Sequence, residues 1–361
     1  MVVGYSLGHK NNPEEEIKVL GEDEPNIITY SGCVNFVLSR LCRNECPYCD
    51  FQGKDKLTVP YSIIKMAKTA RANGIRAAFF EAGERPDTFP FVRSTLDLWG
   101  FSSYLDYVYT VCELVFLEGL IPIIDIGFLT PTEMKKLSEI CALIKIMLDP
   151  CEKNRIQSND KVQEKKHELR IKSLQWAGKL KFPVITGLLV GSGETKAQRV
   201  EALETIAAIH KEYGHVHEVL LQNFIPPPGS AFANKGASRE LMLETVKLAF
   251  HILPDDISII VPIACNPEFK DFINAGIRDL GRIFKGKGRY PTAFQVQVED
   301  FQTKVEEAGF TLQQRFPLKK SYIKNGFYSK KLGQVFDAYK YRLKKEEQER
   351  LKELKVNEAS Q

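Results

Sequence analysis

The sequence contains no apolar run long enough to cross a membrane. None of the hydrophobic stretches in its 361 residues reaches the roughly 18–20 residues that a bilayer-spanning helix needs. Residues 1–24 are polar and acidic, and they lack the apolar core of a secretory signal. These absences predict a cytoplasmic protein with no membrane partner.

The chain also carries little net charge. Its formal charge is +4, and much of its basic character lies in the Lys/Glu-rich stretch 339–355. We expect that stretch to form an exposed helix, with docking to a partner as the alternative. A nucleic-acid-binding domain concentrates basic residues on one face, so we expect no nucleic-acid partner. Hydrophobic residues make up 43% of the chain and charged residues 27%, as in ordinary globular enzymes.

Three of the eight cysteines are crowded into one short stretch. In a cytoplasmic chain, crowding of this kind argues for metal binding or catalysis rather than for disulfides. Cys42, Cys46 and Cys49 follow a short apolar strand with the spacing C-x3-C-x2-C. Three thiolates fall one short of a tetrahedral zinc site, but they can hold three irons of a [4Fe–4S] cluster and leave the fourth iron open. The alternative is a zinc knuckle completed by Cys33 or Asp50. Most of the remaining cysteines are interpreted as small buried residues.

This spacing, with the aromatic Tyr48 before the last cysteine, resembles the radical S-adenosylmethionine (SAM) superfamily. In that superfamily the open iron binds the amino and carboxylate groups of SAM. An electron from the cluster then cleaves SAM to methionine and a 5′-deoxyadenosyl radical, which takes hydrogen from the substrate. The resemblance implies a [4Fe–4S] cluster on Cys42, Cys46 and Cys49, SAM as the second cofactor with Tyr48 beside it, and an electron donor such as ferredoxin or flavodoxin.

Strand-like and helix-like stretches alternate along the chain. Apolar runs that predict strands occur at about 33–38, 75–80, 120–126, 142–148, 182–190, 216–224, 257–264 and 276–284. Helix-like stretches lie near 60–73, 103–118, 131–140, 164–179, 196–212, 239–252, 266–275 and 298–309. Eight such units predict an α/β protein with a (β/α)8 TIM-type barrel, and the alternative is a doubly wound open sheet. We divide the chain into an N-terminal extension (1–32), the barrel (33–318) and a charged C-terminal tail (319–361).

The functional residues of a parallel barrel lie where its strands end. After the second strand, Gly83 permits a close backbone approach and Glu84 offers an anion to an ammonium group. Ala82-Gly83-Glu84 is similar to the Gly-Gly-Glu motif that binds the SAM amino group, with alanine in place of one glycine. Asp125 and Asp149 end the third and fourth strands. Each is a candidate contact to the ribose or methionine part of SAM, or a helix cap.

Two later stretches add candidate SAM contacts. Arg170, in a helical stretch, is suited to bidentate pairing with the SAM carboxylate, and the alternative is an ordinary surface arginine. The fifth strand ends in a glycine-rich turn that is not a phosphate loop, because no Gly-Lys-Ser/Thr follows it. The turn is similar to the G-x-I-x-G-x-x-E pattern beside SAM adenine, and Gly187, Gly191 and Glu194 carry the match.

The sixth strand ends in the amide side chains of Gln222 and Asn223. They are candidates for reading a polar small-molecule substrate, and the alternative is that they brace a loop. Three histidines lie nearby, at positions 210, 215 and 217. Since no carboxylate arrangement accompanies them in the sequence, we interpret them as structural.

Several segments resemble one family within the superfamily, the CofG subunit of FO synthase (7,8-didemethyl-8-hydroxy-5-deazariboflavin synthase). They are Ile-Thr-Tyr-Ser (28–31), Leu-Cys-Arg-Asn (41–44), Trp-Ala-Gly (176–178), Thr-Gly-Leu-Leu-Val-Gly (186–191) and the stretch 210–224. In that family CofH joins a tyrosine-derived group to a ribityl diaminouracil, and CofG closes the deazaflavin ring with loss of ammonia. The resemblance covers about 27–318. It implies formation of FO, the precursor of the coenzyme factor-420, and a CofH-type partner.

The chain departs from the family pattern mainly at the expected substrate end. The family usually has arginine at Gly32, histidine at Ile123, glutamate at Asp149, Pro-Asn at 263–264, and small residues at 282–285. We expect these positions to face the barrel mouth. The sequence therefore leaves two alternatives open: a CofG-like radical SAM paralogue acting on a different small molecule, and a non-enzymatic iron–sulfur or zinc protein.

Overall fold

The computed structural model describes residues 26–44, 46, 49, 51, 56–149, 167–225, 236–266, 269–284, 298–338 and 341. Its principal strands are β1 (Ile27–Ser39), β2 (Ala77–Ala82), β3 (Ile121–Asp125), β4 (Leu143–Lys145), β5 (Val184–Val190), β6 (Val216–Asn223), β7 (Ser258–Ile260) and β8 (Asp279–Phe284). A short strand, β9 (Thr311–Gln314), follows them.

Helices alternate with these strands. They are α1 (Pro60–Ala72), α2 (Pro90–Leu98), α3 (Tyr104–Leu117), α4 (Pro131–Ser138), α5 (His167–Lys179), α6 (Lys196–Tyr213), α7 (Arg239–Ile252), α8 (Lys270–Asn274), α9 (Val298–Glu307) and α10 (Lys320–Lys324), with a further helical stretch at 330–338. The start of α4 illustrates how the sequence sets these bounds. The Thr130 hydroxyl accepts a hydrogen bond from the Glu133 N–H, and the Glu133 carboxylate accepts one from the Thr130 N–H. Pro131 occupies the first turn. Among the described helices, none is both long and apolar enough to cross a bilayer.

The eight principal strands form one parallel sheet that nearly closes into a barrel. Hydrogen-bonded neighbours follow the order β7–β6–β5–β4–β3–β2–β1–β8. The sheet edges β7 and β8 approach each other, and the Ser258 hydroxyl donates to Asp279 Oδ2 at 3.2 Å. The strand order never reverses, as it would at the switch point of a doubly wound sheet. The predicted (β/α)8 barrel is therefore confirmed.

The barrel strands are apolar on both faces over most of their length because both faces are covered. In β2, Ala78 and Phe80 point outward and pack in the layer between the strands and the surrounding helices. Ala77 and Phe79 point inward and pack in a separate apolar cluster inside the barrel. This inside-and-outside alternation explains why the strands appear in the sequence as continuous hydrophobic runs.

The chain beyond β8 covers the N-terminal end of the barrel. β9 pairs with the beginning of β1, with Ile27 opposite Thr311. The side chains that follow are buried in the cluster inside the barrel, and they are Leu318, Tyr322, Ile323, Leu332 and Phe336. We call residues 316–338 the C-terminal plug. The charged stretch predicted as an exposed helix lies outside the described residues, except for exposed Tyr341.

A buried network of charged groups ties Arg315, the residue directly before the plug, to the barrel. The carboxylate of Glu218 on β6 accepts from Arg315 at 2.7 Å and from Arg282 of β8. Arg315 also donates to Asp279 at 2.8 Å. Burial alone would raise the pKa of Glu218, but the neighbouring arginines outweigh burial and hold that pKa well below its usual value. The network therefore stays charged inside the fold.

Candidate cofactor-binding site

The three clustered cysteines lie in the loop that follows β1, at the C-terminal end of the barrel. Cys42 Sγ accepts hydrogen bonds from the backbone N–H groups of Asn44 at 3.4 Å and Glu84 at 3.2 Å. Cys49 Sγ accepts one from Phe51 at 3.4 Å. Backbone donors aimed at sulfur favour the thiolate, which is the form that binds metal.

This donor set fits an iron–sulfur cluster better than a single zinc ion. Three cysteine thiolates match three irons of a cubic [4Fe–4S] cluster, whereas a tetrahedral zinc ion needs a fourth ligand. Cys33, the proposed fourth zinc ligand, is buried inside the barrel with Leu143 and Phe336, and its burial raises the pKa of its thiol. Cys33 therefore does not complete a zinc site, and Asp50 lies outside the described residues.

The other cysteines fit the expected structural role in part. Cys112 and Cys141 are buried in the outer apolar layer. Cys265 is only partly buried, and its burial raises the pKa of its thiol to about 11. Cys151 lies outside the described residues.

Gly83 lets the loops after β1 and β2 meet. Its N–H donates to the Ser39 carbonyl at 2.9 Å. A Cβ at this position would lie 2.1 Å from the Leu41 carbonyl oxygen, so a larger residue would force the two backbones apart. Gly83 therefore fixes the cluster loop against the end of β2.

Glu84 braces three loops at once. Its side chain is 3% exposed, and its Oε1 accepts from Arg43 Nε at 3.2 Å and Nη2 at 3.1 Å. Its Oε2 accepts from the Phe128 N–H at 3.1 Å. Arg43 belongs to the cysteine loop and Phe128 follows β3, so the carboxylate positions both beside the cluster loop. Contact between Glu84 and the SAM amino group stays a prediction.

The two strand-end aspartates already have protein partners. Asp125 Oδ2 accepts from Lys145 Nζ of the neighbouring strand at 2.7 Å. Asp149 Oδ1 accepts from the Leu189 N–H at 2.8 Å and so joins the ends of β4 and β5. Neither caps a described helix, and contacts from either to SAM stay predictions. Arg170 lies half-buried in the first turn of α5, and its pairing with the SAM carboxylate likewise stays a prediction.

The glycines after β5 are needed for close packing of protein backbone. A Cβ on Gly187 would lie 1.9 Å from the Leu220 carbonyl oxygen of β6. A Cβ on Gly191 would lie 2.4 Å from the backbone nitrogen of Ala237. At both glycines, backbone atoms of the protein therefore fill the space that we expected a flat adenine to use. Any contact with adenine would use other faces of these residues.

Glu194 shapes the same turn from within. Its carboxylate accepts from the Gly191 N–H at 2.6 Å, the Ser192 N–H at 2.8 Å and the Ser192 hydroxyl at 2.9 Å. Its side chain is fully buried beside Arg199. Glu194 therefore holds the turn in shape, and a direct contact with SAM stays a prediction.

Gln222 and Asn223 are adjacent in sequence but face opposite sides of β6, since strand side chains alternate. Gln222 is partly exposed on the inward side. Asn223 forms a reciprocal amide pair with Asn266, with distances of 2.9 and 2.7 Å. The pairing with Asn266 fits the alternative interpretation for Asn223, in which its side chain braces a loop. Hydrogen bonding to a substrate stays a prediction for both residues, and Asn223 could form such a bond only after its hydrogen bonds with Asn266 are broken.

The three histidines have structural surroundings. His215 and His217 are fully buried, and burial lowers the pKa of each imidazole to about 4. His210 Nε2 lies 3.1 Å from Asp256 Oδ2 on the outer side of the barrel.

Two polar residues of this region were not anticipated. Arg43 stands inside the cysteine motif, and Lys145 stands in a buried apolar run. The sequence feature that could have revealed Lys145 is the presence of a charged residue within an otherwise apolar strand. Tyr48 lies outside the described residues.

The departures from the family pattern do not all face the mouth. Gly32 faces Gln314 of β9, and a Cβ there would lie 3.1 Å from that side chain. Ile123 packs in the apolar interior. Arg282 pairs with Glu218. The expectation that these three positions face the mouth is therefore wrong, because Gly32 faces β9, Ile123 packs in the apolar interior and Arg282 is turned towards Glu218 inside the barrel.

Solved structures share this fold. The chain superposes on methylornithine synthase (PylB) with a TM-score of 0.60 and 14% identity, covering 80% of this chain and 84% of that one. It superposes on the FeFe-hydrogenase maturase HydG from Carboxydothermus hydrogenoformans with a TM-score of 0.63 and 18% identity, covering 81% and 68%. No protein-family model matches the chain.

Curated relatives are much more similar in sequence. The 7,8-didemethyl-8-hydroxy-5-deazariboflavin synthase of Methanosarcina mazei is 34% identical over 317 residues, covering 85% of this chain and 93% of the relative. The enzyme of the same name from Archaeoglobus fulgidus is 34% identical over 317 residues, covering 87% and 97%. Because this similarity spans nearly the whole length of the relatives, the chain belongs to the 7,8-didemethyl-8-hydroxy-5-deazariboflavin synthase family of radical SAM enzymes.

Proposed function

We propose that this enzyme is the CofG-type component of FO synthase and closes the deazaflavin ring of FO on the way to factor-420. The observation that carries the proposal is the cysteine loop, whose sulfurs accept backbone N–H groups at the barrel end, in a chain similar to named synthases over most of its length. We further propose the cytoplasm as its compartment, because reduced thiols persist there.

Cys42, Cys46 and Cys49 would hold the [4Fe–4S] cluster. When bound, the cluster supplies the electron that cleaves SAM and so generates the radical that takes hydrogen from the substrate. The protein's own contribution is positional. Glu84 holds the cysteine loop in place through its ion pair with Arg43. Gly83 lets that loop pack closely against the end of β2.

The SAM site would lie between this loop and the ends of β4 and β5. Glu84 supplies a negative charge for the amino group, and Arg170 supplies a guanidinium for the carboxylate. Asp149 and Glu194 hold the neighbouring strand end and turn in shape, so that Gly187 and Gly191 border the adenine. Tyr48 completes the contacts that the family resemblance implies.

The substrate would enter above the barrel interior, where Gln222 is available for hydrogen bonding. It would be a small molecule made by a CofH-type partner enzyme, and the reducing electron would come from ferredoxin or flavodoxin. A substrate recognised by hydrogen bonds is discriminated steeply when one bonding partner changes.

A second candidate is a CofG-like paralogue that acts on a different small molecule. Two interior positions favour it. Ile123 stands where the family usually has histidine, and Arg282 stands where it has glycine. Arg282 adds a cation that pairs with Glu218 and lies 5.4 Å from the centre of the Phe79 ring. Both changes alter the size and charge of the inner surface beneath the substrate.

Co-expression with a CofH enzyme tests the choice between these two candidates. The host should make the ribityl diaminouracil but no deazaflavin. We expect fluorescent deazaflavin in cells that carry both enzymes, and none when Cys42→Ser replaces the wild-type chain. If an authentic CofG gives fluorescence in the same host and this chain does not, the paralogue becomes the better account.

A further inference from the structure

A charged layer lies inside the barrel just beneath the cofactor end. Asp125 on β3 and Lys145 on β4 form an ion pair at 2.7 Å. On the adjacent strands, Glu81 Oε2 accepts from Asn35 Nδ2 at 2.8 Å. Register pairs Glu81 directly with Asp125, so these groups stand at one level of the barrel.

The floor of this layer is apolar. Phe79 packs with Ile123, Leu143 and the C-terminal plug, and Lys145 Nζ lies 5.9 Å from the centre of its ring. The Lys145 ammonium therefore points into the barrel rather than outward. Asp125 lies only two residues before Gly127, where a Cβ would touch Glu84 at 2.7 Å. The ion pair is thus sandwiched between a packed floor and the proposed cofactor site.

Both members of the ion pair stay partly accessible to solvent. The side chain of Lys145 is 15% exposed and that of Asp125 is 31% exposed, although both stand on central strands of a barrel whose lower interior is closed. An ion pair taken out of water costs free energy, and TIM-type barrels usually fill their interior with branched apolar residues. A charged and partly accessible pair at this level offers polar groups that a ligand entering the barrel end can contact.

We propose that Lys145 and Asp125 are specificity-determining residues that read the imide edge of the substrate's pyrimidinedione ring. Such an edge presents a carbonyl oxygen beside a ring N–H. The ammonium, which has three donors, donates to the carbonyl while keeping its bond to Asp125. The free lone pairs of Asp125 accept the N–H. The identity of this substrate rests on the proposed function, and Asp125 takes this contact in place of the SAM contact expected from the sequence.

Binding of the ribityl diaminouracil, the uracil-bearing precursor from which CofH makes the proposed substrate, serves as a probe of the imide edge without turnover. Equilibrium dialysis would use anaerobic holoenzyme with wild type, Lys145→Met, Lys145→Arg and Asp125→Asn. We expect Lys145→Met to weaken binding by about 10- to 100-fold, the range for losing a charged hydrogen bond, and Lys145→Arg to recover part of the loss. The SAM dissociation constant should stay unchanged. A ring N-methyl analogue should bind wild type more weakly than the parent compound.

Lys136→Met is the matched control, since Lys136 forms a comparable ion pair with Asp106 on the surface and should bind like wild type. Equal affinity of wild type and Lys145→Met, failure of wild type to bind the probe, or a parallel loss of SAM affinity would each overturn the proposal. The two-enzyme reaction separates this result from the proposed function. Binding that depends on Lys145 without deazaflavin formation contradicts only the proposed activity, whereas deazaflavin formation with unchanged probe affinity contradicts only the role of Lys145.

Discussion

The surroundings of His217 predict an acid-sensitive link between the barrel and its C-terminal plug. The Lys319 N–H donates to His217 Nε2 at 3.0 Å, so this nitrogen must keep its lone pair and the ring must be neutral. His217 Nδ1 lies 3.2 Å from Glu218 Oε1, and the ring packs edge-on to Tyr322 with centres 5.0 Å apart. Burial lowers the pKa of His217 to about 4. The ordinary value is about 6.5.

The sign and size of the effect follow from proton linkage. Because the pKa is lower in the folded state, the unfolded chain binds more protons below pH 6.5, and acid favours unfolding. With values of 6.5 unfolded and about 4 folded, acidification from pH 7.5 to 5.0 should remove about 2 kcal/mol of stability through this residue. The contribution is fully present above pH 6.5 and is lost as the pH falls towards 4.

The assay compares wild type with His217→Gln. Glutamine can still accept from the Lys319 N–H, but it has no proton to gain in this range. Urea unfolding of anaerobic holoenzyme at pH 7.5 and 5.0 should show wild type losing about 2 kcal/mol more than the variant. His251→Gln, at an exposed position at the end of α7, is the control. Equal pH dependence in wild type and His217→Gln would refute the reasoning.

Two further predictions concern the cluster loop and the plug. Glu84→Gln should weaken SAM binding by about tenfold and lower the amount of iron that the protein retains, because Arg43 loses a charged partner that is 3% exposed. A SAM titration and an iron analysis check this prediction. The control is Glu113→Gln, which removes a surface pair with Lys331 and should change neither quantity. Phe336→Ala should lower the free energy of unfolding by about 3–5 kcal/mol, because the ring is fully buried at the base of the barrel; a loss below 1 kcal/mol in urea unfolding would mean that the plug does not pack there.

The sequence was informative wherever structure depends on local pattern. Buried parallel strands produce continuous apolar runs, so the barrel and its strand positions were predictable. The cysteine spacing predicted a metal-binding loop because the three cysteines are close in the chain. The roles of neighbouring strand residues that face opposite ways were harder to predict. Gln222 faces inward, while Asn223 pairs with Asn266, which is more than forty positions away in the chain.

Contacts across long sequence distances were not predictable. The plug uses scattered apolar residues among many lysines, in short elements such as α10 (Lys320–Lys324), and periodicity is weak in segments that short. Its packing against Cys33 and Ile185 arises only when the barrel closes. The pairing of Lys145 with Asp125 likewise depends on strand register, which a single sequence does not specify.

The central claim is tested most directly by the purified two-enzyme reaction. Anaerobic chain carrying about four irons per molecule would be mixed with a CofH enzyme, tyrosine, the ribityl diaminouracil, SAM and a reductant. The account predicts 5′-deoxyadenosine together with a fluorescent product of the mass of FO, both dependent on this chain. Accumulation of 5′-deoxyadenosine without FO, while an authentic CofG forms FO alongside, would contradict it.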